Sequence, residues 1–88
     1  MKLSMKKFGE LLISRPAGRD SSLAALAYLL SPPPPPEETI ELDFEGVKVL
    51  TPSWLDEFLN GLKGTLANPI QVLPSLNSTV KESCKAIE

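Results

Sequence analysis

Hydrophobic positions along this chain switch between two spacings. Ile40, Leu42 and Phe44 alternate with Glu41 and Asp43, the period of a half-buried strand, and Phe44 is expected in the core. Thr51-Pro52-Ser53 then supplies helix-start chemistry, and Trp54, Leu55, Phe58, Leu59 and Leu62 follow at helical spacing. Gly61 and Gly64 suggest where that helix ends. Upstream, Met1 to Phe8 alternates weakly through Leu3 and Met5, and Leu11, Leu12 and Ile13 extend that strand or form a second. Arg15 precedes Pro16 and marks the boundary before the first helix. Leu23, Leu26, Ala27 and Leu30 predict one face of that helix. Ser31 and the prolines Pro32 to Pro36 stop it. A polyproline II rod of roughly 15 Å is expected there, at about 3.1 Å per residue, as a connector. Ile70 and Val72 flank Gln71 as a last short strand, and Val80, Cys84 and Ile87 share a face of a last helix. Strands alternating with helices predict an α/β fold with parallel crossovers, in a mixed sheet of about four strands packed with three helices.

Composition narrows the function classes. The 88 residues are expected to form a single domain. Such a chain buries only about 60–65% of its unfolded surface, so its core is modest. No apolar run has transmembrane length, and the lysine-bearing start lacks the sustained apolar stretch of a signal peptide. A lone cysteine, Cys84, suits a reducing cytoplasm, the expected location. Nine basic residues against eleven acidic leave no basic stripe beyond Lys2, Lys6 and Lys7, so nucleic acid is not an expected partner. The chain has no histidine, which removes the commonest general base and metal ligand together. No catalytic residue, metal site or cofactor is expected, and the chain reads as a non-enzyme.

The candidate chemistry gathers around the Thr51 turn. Ser53 is either a modifiable hydroxyl or a helix cap, as is Thr51: Ser53-x-x-Asp56 has capping-box spacing, while Thr51 followed by Pro52 gives an alternative start. Asp56 and Glu57 are adjacent and diverge by about 100° on a helix, which suits a favourable first turn or an interaction surface better than a catalytic pair. Trp54 is a core-edge residue or, if its ring is exposed, an interaction anchor. Arg15 and Arg19 flank a helix start, as candidate anion contacts or as carboxylate partners. Asp43, on the polar side of its strand, is placed to stabilise the adjoining turn.

Leu42-Asp43-Phe44, Gly46 and Val47, followed after a turn by Trp54, Asp56, Glu57 and Phe58, resemble a small bacterial STAS-like family of undefined function, related to anti-sigma factor antagonists. Ser14-Arg15 with Gly18-Arg19, and Asn77-Ser78-Thr79-Val80, resemble the starts of that family's first and last helices, so the likeness spans residues 8 to 88. In the antagonists a serine at the start of the central helix is phosphorylated by a partner kinase, which switches binding off. Here Ser53 takes that place, with Thr51 where an aspartate is usual, Pro52 for a first serine and Trp54 for a glycine. The resemblance implies a non-catalytic protein–protein interaction module in bacterial regulation. Its partner would be a histidine-kinase-like ATPase or an anti-sigma factor, bound through Thr51, Ser53, Trp54, Asp56 and Glu57. The alternative is a small-ligand or nucleotide-sensing module with Arg15 and Arg19 on the anion.

Overall fold

A computed structural model describes residues 1–87. The strand β1 (Lys2–Ser4) passes through a 3₁₀ turn (Met5–Phe8) into β2 (Leu11–Leu12) and then α1 (Arg15–Ala24). Ala25–Leu29 continues that helix as a π turn. After the proline segment come β3 (Ile40–Asp43), β4 (Val49–Leu50), α2 (Pro52–Lys63), β5 (Ile70–Val72) and α3 (Ser78–Ala86).

The strands form a three-stranded sheet in the order β1-β3-β5 and a two-stranded pair, β2-β4. Each pairing is parallel, so the expected mixed sheet of about four strands is instead five short strands in two parallel groups. Register matches buried positions: Leu3 faces Leu42, and Leu12 faces Leu50. The extra strand β4 has two residues, too few for an alternation to register in the sequence. A turn separates it from β3, in which Asp43 Oδ1 accepts from the Glu45 amide at 3.1 Å and Val47 N–H donates to Phe44 C=O. Asp43 thus does what its position predicted. Phe44 is buried just past the strand, as expected.

Parallel neighbours need crossovers of one hand. The strand order advances in one direction, β1 to β3 to β5, so α1 and α2 lie against the same face and against each other. Their contact is very close. A β-carbon at Gly18 would strike the Trp54 carbonyl, and one at Gly61 would strike the Ser22 hydroxyl. Ser22 satisfies itself by donating to the Arg19 carbonyl at 2.7 Å. This corrects the expected α1 face: Leu23 is 56% exposed and Ala27 is exposed, while Gly18, Ser22 and Ala25 are buried. Closeness selected small residues where hydrophobic spacing suggested large ones. The π turn, with Leu30 N–H on Ala25 C=O at 2.9 Å, then rephases the chain so that Leu30 enters the core.

The proline segment ends in a turn, where a straight rod through Pro36 is expected. The Glu38 amide donates to Pro35 C=O, turning the chain, and Asn68 Nδ2 donates to Pro35 C=O at 2.7 Å and Glu38 C=O at 3.0 Å. Prolines donate no backbone hydrogen bond, so their carbonyls recruit donors from elsewhere in the chain.

On the far side of β4, side chains of α3 stand where another strand would be. Asn77 Nδ2 donates to Val47 C=O and Lys48 C=O, both at 2.9 Å. Thr79 Oγ1 accepts from Leu50 N–H at 3.1 Å, and Ser83 Oγ donates to Leu50 C=O at 2.8 Å. Asn77 also caps α3, its Oδ1 accepting from Thr79 N–H at 2.8 Å.

Two stability predictions follow from these contacts. Gly18→Ala, ordinarily neutral or favourable in a helix, is expected to lower stability by roughly 2 kcal/mol or more, since the obstruction is backbone. Thermal denaturation should show a midpoint lower by about 8–16 °C; an unchanged midpoint means that α1 and α2 are not in this contact. Asn77→Ala removes a cap and the donor to two carbonyls, and urea titration should register a loss of roughly 2–4 kcal/mol.

Candidate functional site

Both β2 and β4 end at the same edge, and each leads at once into a helix. In parallel α/β architectures the carboxyl ends of strands are where sites form. Thr51 fastens the two junctions: its N–H donates to Leu12 C=O at 3.0 Å, and its hydroxyl lies 3.4 Å from the same carbonyl. That hydroxyl also accepts from Trp54 N–H at 3.4 Å, which makes Thr51 the cap of α2, with Pro52 opening the helix. Of the two starts open to the sequence, this is the one used. The Ser53–Asp56 capping box does not form. Ser53 sits in the first turn, half-buried, with its hydroxyl in no hydrogen bond among the described residues.

Asp56 and Glu57 fall beyond the first turn of α2, and α1 decides their orientation. Arg15 Nη1 donates to Asp56 Oδ2 at 2.9 Å and lies 3.6 Å from Glu57 Oε1. The hydrogen bond to Asp56, followed by the charges of both carboxylates, raises the Arg15 pKa above its ordinary value against the opposing effect of desolvation. Such an exposed triad contributes little stability of its own. Its effect is positional: two divergent carboxylates converge on one guanidinium.

Trp54 does not join this surface. Its ring is 1% exposed and stacks on Phe58 with centroids 5.0 Å apart, while Phe8 tilts against both. The reading of Trp54 as a partner-binding anchor is therefore corrected to core, because the indole points down the apolar stripe of α2. Arg19 does come near Arg15, around a shallow depression that also holds Pro16, Asp20, Leu23 and Glu57. The two arginines thus share their surroundings with carboxylates, and Arg15 is already paired, the alternative its residue type allowed.

Ser14 is the most unusual residue at this edge. It caps α1, accepting from Ala17 N–H at 3.4 Å, with φ 76° and ψ 148°. That region is nearly reserved for glycine. Sequence reasoning also missed Thr79 and Ser83, which bind the junction strand from behind. Their signal was present: two hydroxyl residues one helical turn apart beside the apolar face of α3.

Residues 30–68 match the model of a family described as a STAS-like domain of unknown function. The STAS-like match runs from Leu30 through the proline segment, β3, β4 and α2 to Asn68, a narrower span than the likeness read over residues 8 to 88. It contains Thr51, Ser53, Asp56 and Glu57, while Arg15 and Ser14 lie outside it. No curated protein and no solved structure matches the chain. Among the described residues, no helix is long and apolar enough to cross a membrane.

The strain at Ser14 gives a paired prediction. Ser14→Gly relieves the backbone and surrenders only a weak cap, so it should stabilise the fold by roughly 1 kcal/mol. Ser14→Ala keeps the strain, loses the cap and should destabilise by about as much. Chemical denaturation of the two variants should move in opposite directions; a common direction means Ser14 is not held at positive φ.

Proposed function

We propose that this chain is a non-catalytic protein-interaction module of bacterial regulation, acting as anti-sigma factor antagonists do, through the turn and helix from Thr51 to Phe58. The partner in this reading is a histidine-kinase-like ATPase or an anti-sigma factor. One observation carries the proposal: Thr51 performs the capping of α2, so Ser53 keeps a half-exposed hydroxyl that the fold does not use. Beside it stand Asp56 and Glu57, gathered on Arg15. The contact surface is Thr51, Ser53, Asp56 and Glu57, with Trp54 supporting it from below.

Phosphorylation would act here by charge. Transfer of the γ-phosphoryl group of the partner's ATP to Ser53 Oγ, with loss of the hydroxyl proton and release of ADP, places about two negative charges on the first turn of α2. The first-turn amides accommodate that charge, so the helix survives. The phosphate then stands beside Asp56 and Glu57, where like-charge repulsion and the cost of desolvating it at the interface oppose binding. The absence of histidine from the sequence supports a binding role over a catalytic one.

Ser53→Asp should therefore leave the circular dichroism spectrum and melting point nearly unchanged, while partner recovery from the source cell falls about tenfold or more. Ser53→Ala should recover the partner like wild type, and the pair Asp56→Lys with Glu57→Lys should not. A Tyr28→Ala control, changed at a residue 83% exposed elsewhere, should bind normally. Equal recovery by wild type and Ser53→Asp would end the switch reading, and binding that survives the two lysines but not Tyr28→Ala would move the interface to another face.

A further inference from the structure

A second depression lies away from the α1–α2 edge. It is an open groove of about 530 Å³ with β5 along one side and one face of α3 along the other. Its lining runs on from β5 through Leu73 and Pro74 to Ser75, and Leu55 and Leu59 of α2 also line it. Val80, Cys84 and Ile87 furnish the helix wall. Lys81 is the charged residue of the lining and makes no ion pair among the described residues.

The groove adjoins an edge. In the order β1-β3-β5, β5 pairs with β3 alone. Pro69 C=O and Leu73 N–H bond to β3, so by parallel alternation the N–H and C=O groups of Ile70 and Val72 face outward. A strand edge beside an apolar trough bounded by a helix is the geometry in which an extended peptide gains main-chain bonds on one side and pockets for alternate residues on the other. A helix laid in the groove would satisfy none of those edge groups, since its own backbone is already paired.

We propose that this groove binds an extended peptide segment that adds to β5 as a further strand, with apolar side chains at alternate positions entering the trough and an acidic residue meeting Lys81. Charge complementarity sets the acidic preference. The site is separate from the Thr51 surface and does not depend on the function proposed for it.

The test uses the full chain and one probe, the peptide acetyl-Thr-Val-Glu-Val-Glu-Leu-amide, in an amide chemical-shift titration. Saturable shifts confined to residues 70–75 and to the Val80, Lys81 and Cys84 turn of α3 are expected. The same peptide methylated at alternate backbone nitrogens should bind about tenfold more weakly or worse, because it loses strand bonds. The Lys81→Glu chain, changed at an exposed position, should lose affinity for the acidic probe and gain it for a probe with lysine in place of glutamate. An absence of saturable shifts in this region overturns the proposal. So does equal affinity for the methylated peptide, which would leave side-chain packing alone. Concentration-dependent dimerisation that occludes these same amides before any peptide is added would assign the groove to a second copy of the chain instead.

Discussion

The contact between α1 and α2 sets the geometry on which everything else rests. With glycine at 18 and 61, the two helices approach until side chain meets backbone: Ser22 lies on Gly61 and Gly18 lies on the Trp54 carbonyl. A surface formed by larger residues would hold the helices several tenths of an ångström or more further apart. At the present separation Arg15 reaches both Asp56 and Glu57, and Trp54 is pressed into the aromatic cluster with Phe8 and Phe58. The candidate surface is therefore a consequence of a packing contact made further along the same helices. Its ion pairs contribute little energy of their own and occupy positions the packing has already determined.

A second constraint concerns the shortness of the strands. A two-residue pair such as β2-β4 offers too few ladder bonds to stand unaided. It persists because each end of β4 is secured differently. Thr51 ties it forward to Leu12, while Asn77, Thr79 and Ser83 complete its outer edge with side-chain atoms. Polar residues from α3 thus close an edge that a further strand would otherwise cover. The cost is three polar side chains facing the sheet, each satisfied by a defined partner, as buried polar groups require.

How much of this was legible depended on whether a residue acts by period or by shape. The strand of Ile40, Leu42 and Phe44 and the stripe of Trp54, Leu55, Phe58 and Leu62 are buried as their spacing predicts, since burial on one face imposes that spacing. The α1 face was misread because Gly18 and Ser22 are chosen for what they lack, and a hydrophobic count passes over them. β4 was missed because two residues carry no period. At Ser53 the sequence allowed two caps, and only the geometry of Thr51 against Leu12 separates them. Arg15 reads as an anion ligand or an ion-pair member from residue type alone; which one it is depends on a helix lying forty-one positions away.

The same reasoning gives α2 an unusual division of labour. Trp54, Phe58 and Leu62 face the core, Asp56 and Glu57 face Arg15, and Leu55 and Leu59 reach the groove beside β5. One helix therefore contributes to both candidate surfaces while locked against α1. A helix seated on glycine contacts has little room to slide, because any axial shift drives Ser22 or the Trp54 carbonyl into a neighbouring residue larger than glycine. Charge added at Ser53 can thus alter the surface at the head of α2 without displacing Leu55 and Leu59. Coupling between the two surfaces would require α3 to move, and α3 is held to β4 by Asn77, Thr79 and Ser83.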